Sequence, residues 1–569
     1  MPFKTFNNKG ELISVDKLKA WFEDIEKRGF KGITLDFWWR FTEPYPNEYN
    51  FLQYHKLMNI LKEYNLKIKP ILSFHQCGST IGDECWIQLP EWILNSDQKI
   101  FYKDNKNNIN KEYISVFADK EILSDGRTVL QAYSEYIQQF NNEFSKYYGT
   151  KIIDIELGTG PAGQLHYPSY SYKDAFCGVG RFQGSSELAV NQFKKFLTDI
   201  KYKQSNTKNL KLDYIGTPII EKENHKPYQE WFFKEINIEK EECNAITRNK
   251  IDCGNYYTKE NECLEKGCCW KEEPGSPYCY YKENKVVNYK SNYGKLWTYW
   301  YQEQQLIHLQ KLLLIARKHL NILIPLSVKL PCVHWLAGDN TRAAELTSGF
   351  LTNKSNSEFE QSEADIKINY NKIKNLIENV EELDYKQFLF DSIFSVNDLT
   401  FGKTIKFIDS YNSYNQIFKL VKNFRAKIVF SCVELAKEDF PNVCNSAPEK
   451  LMAEFKQNSS VYNIPIIAEN TQKLIKEEME NKLEKIRNNL PGFFQFNYMR
   501  MDDAENNNDN EEMLQISTQK SVIKQLIQLL DSNKPSNYYK RKKIILLETI
   551  ECRKCANDLN HFKKILRVI

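Results

Sequence analysis

The chain has 569 residues, 41% of them hydrophobic and 14% aromatic, which is enough for a large core carrying an insertion rather than for one ordinary domain. Its 78 Lys and Arg nearly balance 74 Asp and Glu, and a net charge of +4 leaves no basic surface of the kind nucleic acids require. No apolar run approaches the ~18 residues that span a bilayer, and the opening MPFKTFNNKG lacks the apolar stretch of a signal peptide.

Along the chain, helical and strand periodicities alternate. Val15 to Gly29 has the apolar spacing of an amphipathic helix and Gly32 to Phe37 reads as a strand; Phe51 to Tyr64 and Lys67 to Phe74 repeat the pair. Later strands are expected at Ile152–Glu156, Ile324–Leu330, Ala426–Ser431, Ile464–Glu469 and Gly492–Asn497. This is the pattern of an α/β barrel or a doubly wound sheet. Several strands end in polar residues, as expected where they deliver side chains to the C-terminal rim of a barrel.

Two segments break the rhythm: a cysteine-rich stretch flanked by Thr217–Glu242 and Tyr280–Asn292, and a Lys-, Asn- and Glu-rich stretch from Asn353 to Asn397. Both read as surface additions. Asp502–Glu512 is a solvated loop by composition, and no internal repeat is present. Sequons at Asn353 and Asn458 are surface signals of low specificity. Cys552-x-x-Cys555 lacks the βαβ context of a redox motif and reads as a surface bridge or two ordinary thiols. No motif implies a metal or an organic cofactor.

Six of the 14 cysteines fall between Cys243 and Cys279 with the spacing C-x9-C-x9-C-x4-C-C-x9-C. Zinc is a poor explanation, since the adjacent Cys268-Cys269 does not suit a metal clip. With Arg248, Asp252, Cys253, Gly254 and Gly267-Cys268-Cys269-Trp270, the segment resembles a P-type trefoil module. The resemblance implies the pairings Cys243–Cys269, Cys253–Cys268 and Cys263–Cys279, and a possible protein or mucin-like glycan partner. So small a module needs its bridges to fold, which points to an oxidising compartment. Cys77 and Cys85 bracket Gly78–Glu84 and could also bridge, although two buried thiols is the simpler expectation.

The segment Lys151–Tyr170, KIIDIELGTGPAGQLHYPSY, resembles the signature of the β-amylases, G-x-[SA]-G-E-L-R-Y-P-S-Y, whose glutamate is the general acid that protonates the leaving glycosidic oxygen. Here that position is Gln164, and His166 stands where the family has Arg. An amide can hydrogen-bond sugar oxygens but has no titratable proton to give.

Six further segments are similar to the same family in the same order. They are Asp36 in Leu35-Asp36-Phe37-Trp38-Trp39; His75 and Asp83 in the closing loop Ser73–Asp83, where Ser79-Thr80 replaces Gly-Asn and reduces hinge freedom; and Lys329, His334 and Trp335, with Pro331-Cys332 replacing Ser-Gly. The others are Ala343–Thr347; Ser431 in Phe430–Glu434; and Glu469-Asn470 followed by Arg500 in Tyr498-Met499-Arg500. The resemblance implies that Glu469 is the general base and that Asp36, His75, Asp83, Lys329, His334, Trp335, Ser431, Asn470 and Arg500 contact an α-1,4-glucan.

The fold expected is therefore a (β/α)8 TIM barrel of β-amylase type. Residues 1–235 and 283–515 form its two parts, with 353–397 inserted; a trefoil occupies 240–282, and 516–569 extend onto the barrel. By the same resemblance the first strand begins upstream of Met1, so the sequence is read as mature or incomplete, from a secreted or lumenal protein. Inverting hydrolysis needs an acid and a base about 6.5–9.5 Å apart on opposite faces of the sugar. Only the base is retained. Three readings follow: a glucan-binding protein with lost or reduced hydrolysis, an active β-amylase that uses another donor such as His166 or carries a substitution at Gln164, and a structural or adhesive protein with the barrel as scaffold.

Overall fold

The computed structural model describes residues 5–27, 29–78, 85–104, 107–169, 180–199, 243, 253, 258–280, 292–335, 344–352, 373, 376–377, 401–440, 446–471 and 476–499. Its centre is a seven-stranded parallel sheet. In chain order the strands are β1 (Gly32–Trp38), β2 (Lys67–Ser73), the hairpin β3 (Phe101–Lys103) and β4 (Ile109–Ile114), β5 (Ile155–Leu157), the trefoil pair β6 (Cys269–Trp270) and β7 (Cys279–Tyr280), then β8 (Leu326–Leu330), β9 (Ala426–Phe430), β10 (Ile466–Glu469) and β11 (Gln495–Asn497).

The sheet order β1-β2-β5-β8-β9-β10-β11 follows the chain, with every pairing parallel. Successive parallel neighbours need a crossover between them, and helices supply it: Leu52–Leu61 between β1 and β2, Val129–Phe144 before β5, Asn292–His319 before β8, Ser413–Asn423 before β9 and Pro448–Tyr462 before β10. Phe30, just before β1, and Tyr498, just after β11, have ring centroids 6.4 Å apart, so the sheet curls back on itself.

Local sequence explains the elements. Thr128 accepts the amide of Gln131 while the Gln131 side chain accepts that of Thr128, a capping box that starts Val129–Phe144. That helix buries Tyr133, Tyr136, Ile137, Phe140 and Phe144, and Phe140 and Phe144 meet Phe37 of β1 edge-on at 5.1 and 5.2 Å. The strands β2, β8 and β10 are buried along nearly their whole length, as parallel strands covered on both faces must be.

Because β5 pairs directly with β8, the trefoil between them in sequence is an excursion from one barrel. Its three bridges are Cys243–Cys269, Cys253–Cys268 and Cys263–Cys279, as the resemblance implies. Two-residue strands pair Trp270 with Cys279, and among the described residues its buried hydrophobic side chains are Cys263, Cys268, Cys269, Cys279 and Tyr280.

Three sequence expectations change. Cys77 and Cys85 are joined rather than free, because the backbone pairing of Cys77 with Ile87 folds the loop back and brings their Cα atoms to 5.8 Å. A second bridge, Cys332–Cys432, was not anticipated. Asn458 is no surface sequon: it is 1% exposed within Pro448–Tyr462, and its amide donates to the Glu454 carbonyl. Of the eight strands expected, the parallel sheet has seven among the described residues; Asn353, the 353–397 segment apart from 373, 376 and 377, Cys552-x-x-Cys555 and everything after 499 lie outside them.

Candidate active site

Strands β1, β2, β5, β8 and β10 bring charged side chains into one buried cluster. Asp36 lies in β1, Lys69 in β2, Glu156 in β5 and Lys329 in β8, and Glu469 ends β10. Lys69 pairs with Glu156, and Lys329 with Glu469; all four side chains are at most about a tenth exposed. Burial raises the Glu156 carboxyl above the ordinary range, opposed by Lys69 and Lys329 and reinforced by Glu469. Burial alone would lower Lys329, but Glu469, Glu156 and Asp36 outweigh it, so its ammonium is raised and stays charged.

Asp36 is held between β1 and β2. Ser73 donates its hydroxyl to Asp36 Oδ1 at 2.7 Å, and burial, only partly offset by that bond and by Lys329, moves the carboxyl to about 6. His75, two residues beyond Ser73, is buried and neutral, its pKa lowered to about 3 by burial and by Lys329. Its Nδ1 is a buried atom without a hydrogen-bond partner, as is Thr159 Oγ1. Buried groups of this kind mark a place where a ligand or water supplies the missing bond.

Gln164 sits on a strained turn. Ala162 has φ 51° and Gly163 φ 73°, consecutive left-handed residues that swing the chain out of β5 and back into extended backbone at Gln164. A side chain at Gly163 would stand 3.0 Å from the His75 ring, so the turn lies directly against it. Gln164 then bridges to Lys329, and the Leu165 amide donates to the Lys329 carbonyl at 2.9 Å. One residue therefore carries both sides of the site: the backbone of Lys329 supports Gln164, and its side chain holds Glu469.

His166 is half-buried. Desolvation lowers its pKa to about 4 despite hydrogen bonds with the Tyr167 and Pro161 carbonyls, and Nδ1 lies 2.7 Å from the Tyr167 oxygen. It is neutral near pH 7, with one ring nitrogen already engaged.

The remaining candidates surround this centre. His334 is buried with its pKa lowered to about 4, bonds Ser446 Oγ through Nδ1 at 2.7 Å, and packs on Trp335 with centroids 3.9 Å apart. Ser431 follows β9 and donates to the Leu330 carbonyl at 3.4 Å. Asn470 is engaged at both ends of its amide by Met499, accepting from its N–H at 2.7 Å and donating to its carbonyl at 3.1 Å, which ties the exit of β10 to that of β11. The geometry thus brings Asp36, His75, Gln164, Lys329 and Glu469 together, with His334, Trp335, Ser431 and Asn470 on the adjoining loops. Asp83 and Arg500 lie outside the described residues.

Sequence reasoning missed Lys69, Ser73 and Glu156. Lys69 and Glu156 each alternate with a second charge, Lys67 and Asp154, and such an alternation reads as the solvated face of a strand until the sheet is assembled. No cluster of three His, Cys, Asp or Glu placed to hold a metal, and no helix long and apolar enough to cross a membrane, occurs among the described residues.

Residues 1–234 match glycosyl hydrolase family 14, and residues 243–282 match the P-type trefoil domain. Chloroplastic beta-amylase 2 of Oryza sativa subsp. japonica is 29% identical over 364 residues, 62% of this chain and 55% of that protein. The beta-amylase of Trifolium repens is 26% identical over 478 residues, 83% of this chain and 73% of its own. This chain spans about half the length of the first chloroplastic relatives it matches, 55% and 50%. The catalytic domain of a beta-amylase from Paenibacillus polymyxa superposes with TM-score 0.58 at 20% identity, covering 92% of this chain and 96% of that one, which is a likeness of fold.

Proposed function

We propose that this chain, whose residues 1–234 match glycosyl hydrolase family 14 and 243–282 the P-type trefoil domain, binds α-1,4-glucan and does not cleave it efficiently. The observation that carries this reading is Gln164, an amide on the strained turn whose backbone bridges to Lys329, the partner of Glu469, where the family resemblance calls for the proton donor. Glu469 is the residue left to act as base. A base without an acid still leaves the glycosidic oxygen a poor leaving group, and losing a general acid costs about 10²–10⁴ in rate.

Support for binding comes from the retained polar lining. Asp36, the unpartnered His75 Nδ1, Lys329 and the amide of Gln164 offer acceptors and donors suited to sugar hydroxyls, with Trp335 and His334 stacked nearby. Asp83, Ser431, Asn470 and Arg500 complete the proposed contact set. His166 is a poor substitute acid, since a neutral imidazole with pKa about 4 has no readily transferred proton near neutrality.

The proposed organisation is a barrel formed by residues 1–235 and 283–515, a trefoil at 240–282 that meets a protein or mucin-like glycan, and a C-terminal extension from 516 that packs on the barrel. Five bridges among the described residues, three of them in the trefoil, support a secreted or lumenal setting.

Titration calorimetry with maltoheptaose, together with assay of released maltose, tests the reading. Binding without appreciable maltose supports it. Rapid maltose release identifies an active β-amylase, and absence of binding leaves the barrel as scaffold.

A further inference from the structure

Three aromatic side chains are strongly exposed among the described residues: Tyr45, Trp86 and Tyr278. Tyr278 belongs to the trefoil. The other two stand on neighbouring connections at the C-terminal ends of β1 and β2, the rim on which barrel sites are built. Isolated exposed aromatics are ordinary. What sets these two apart is how they are held.

Trp86 is 63% exposed, yet its backbone is fastened. Cys77 and Ile87 exchange two backbone hydrogen bonds of 2.9 and 3.1 Å, and the Cys77–Cys85 bridge ties the residue before Trp86 to the same point. Gly78 has φ 107°, and a Cβ there would fall 2.6 Å from Trp86 Cε3, so only glycine lets the indole rest one edge on the backbone. Cys77, the anchor of Trp86, lies two residues after His75, so the exposed ring is fastened to the chain that forms the pocket wall.

Tyr45 is 65% exposed on the connection after β1, in a turn where Glu48 N–H donates to the Tyr45 carbonyl at 3.1 Å. That connection is tied to the one bearing Trp86: Arg40 donates to the Leu89 carbonyl at 2.9 Å and pairs with Glu91, and Trp92 Nε1 donates to the Glu43 carbonyl at 3.1 Å. The two exposed rings are thus presented from one cross-braced part of the rim.

We propose that Trp86, assisted by Tyr45, is an outer binding platform on which the part of an α-glucan chain outside the pocket lies. The inference rests on the glucan reading of the site. Pyranose rings present C–H faces that pack on an indole, and a ring fixed before binding loses little conformational freedom when the sugar arrives. The Cys77–Ile87 pairing and the Cys77–Cys85 bridge supply that rigidity, and the proximity of this anchor to His75 in the chain sets the occupant as the same chain that fills the pocket.

Calorimetry on the full chain with maltose, maltotriose and maltoheptaose tests the platform. W86A should weaken maltoheptaose by about three- to tenfold while leaving maltose unchanged, W86F should recover part of the loss, and Y45A should show the same length dependence with a smaller effect. Wild-type affinity of W86A for maltoheptaose overturns the platform alone, as does an equal loss for maltose, which would make the ring a support of the pocket. A wild type that binds none of the three overturns both the platform and the glucan reading.

Discussion

Lys329 joins the two halves of the site: its ammonium pairs with Glu469 Oε1, and its carbonyl accepts the amide of Leu165, next to Gln164. The pair is buried at the barrel centre, with Glu156 and Asp36 close enough to keep the lysine charged. An unpaired buried charge is costly. The orientation of Glu469 therefore depends on a residue from a different strand, two positions along the sheet.

Replacing Lys329 with Met should expose that dependence. Three carboxyl groups would then share the single cation of Lys69, and loss of one partner of a buried pair costs about 3–5 kcal/mol. Urea unfolding of Lys329→Met should show this loss, and the double variant Lys329→Met/Glu469→Gln should regain part of it, since it removes the stranded charge as well. An additive double variant would mean that the two groups do not interact.

Gln164→Glu should restore hydrolysis. Its partly buried position favours the protonated form of a carboxyl placed there, which is what a general acid needs near neutral pH. Maltose release from maltoheptaose should rise by at least about 10²-fold. The neutral His166, standing where the family has Arg, is the feature most apt to limit the gain. If release does not rise, the amide is not what silences the site.

Much of this was readable from the chain, for specific reasons. The strand periods located β1, β2, β8 and β9 to within one or two residues, because apolar runs bounded by turns fix buried parallel strands. Strand β5 was placed less well: Ile152 makes only isolated bridges, to Ile68 and Tyr148, and regular pairing begins at Ile155. Gln164 and Glu469 were legible from motif resemblance, but Glu156 and Lys69 were not, since their partners lie on different strands and a charge in a strand looks like surface until the sheet is assembled. Cys332 and Cys432 were invisible for the same reason: 100 residues separate them, and adjacency of β8 and β9 brings them together.

Glucan affinity should depend on pH through Asp36. Its carboxyl lies at about 6 in the folded protein, raised chiefly by burial from an ordinary 3.8. Because the folded value is the higher one, its protonation favours the folded state most fully below pH 3.8, and that contribution is lost as pH rises through 6. Sugar hydroxyls donating to Asp36 favour the carboxylate, so binding works in the opposite sense. Affinity for maltoheptaose should be greatest above pH 6 and fall by up to about tenfold per pH unit below it. Asp36→Asn should flatten the profile between pH 5 and 7; an unchanged inflection would assign the titration to another group.

The Cys332–Cys432 bridge should govern the loop that carries Ser431. It links the exits of β8 and β9, and Cys432 has φ 67°, a left-handed conformation that a residue with a Cβ adopts only when its surroundings impose it. Next to it, Ser431 bonds the Leu330 carbonyl, and Val433 N–H reaches the Glu469 carbonyl at 3.2 Å, so the loop also braces the strand that ends in Glu469. The paired variant Cys332→Ser/Cys432→Ser removes the bridge without leaving an odd thiol. It should cost about 2–4 kcal/mol in unfolding free energy. Beyond stability, freeing the loop should weaken maltoheptaose binding, because the ligand would then have to order it. Cys432→Gly in the same background relieves the backbone strain and provides the control: if it restores stability but not affinity, the bridge positions the site, whereas recovery of both would make its role structural only.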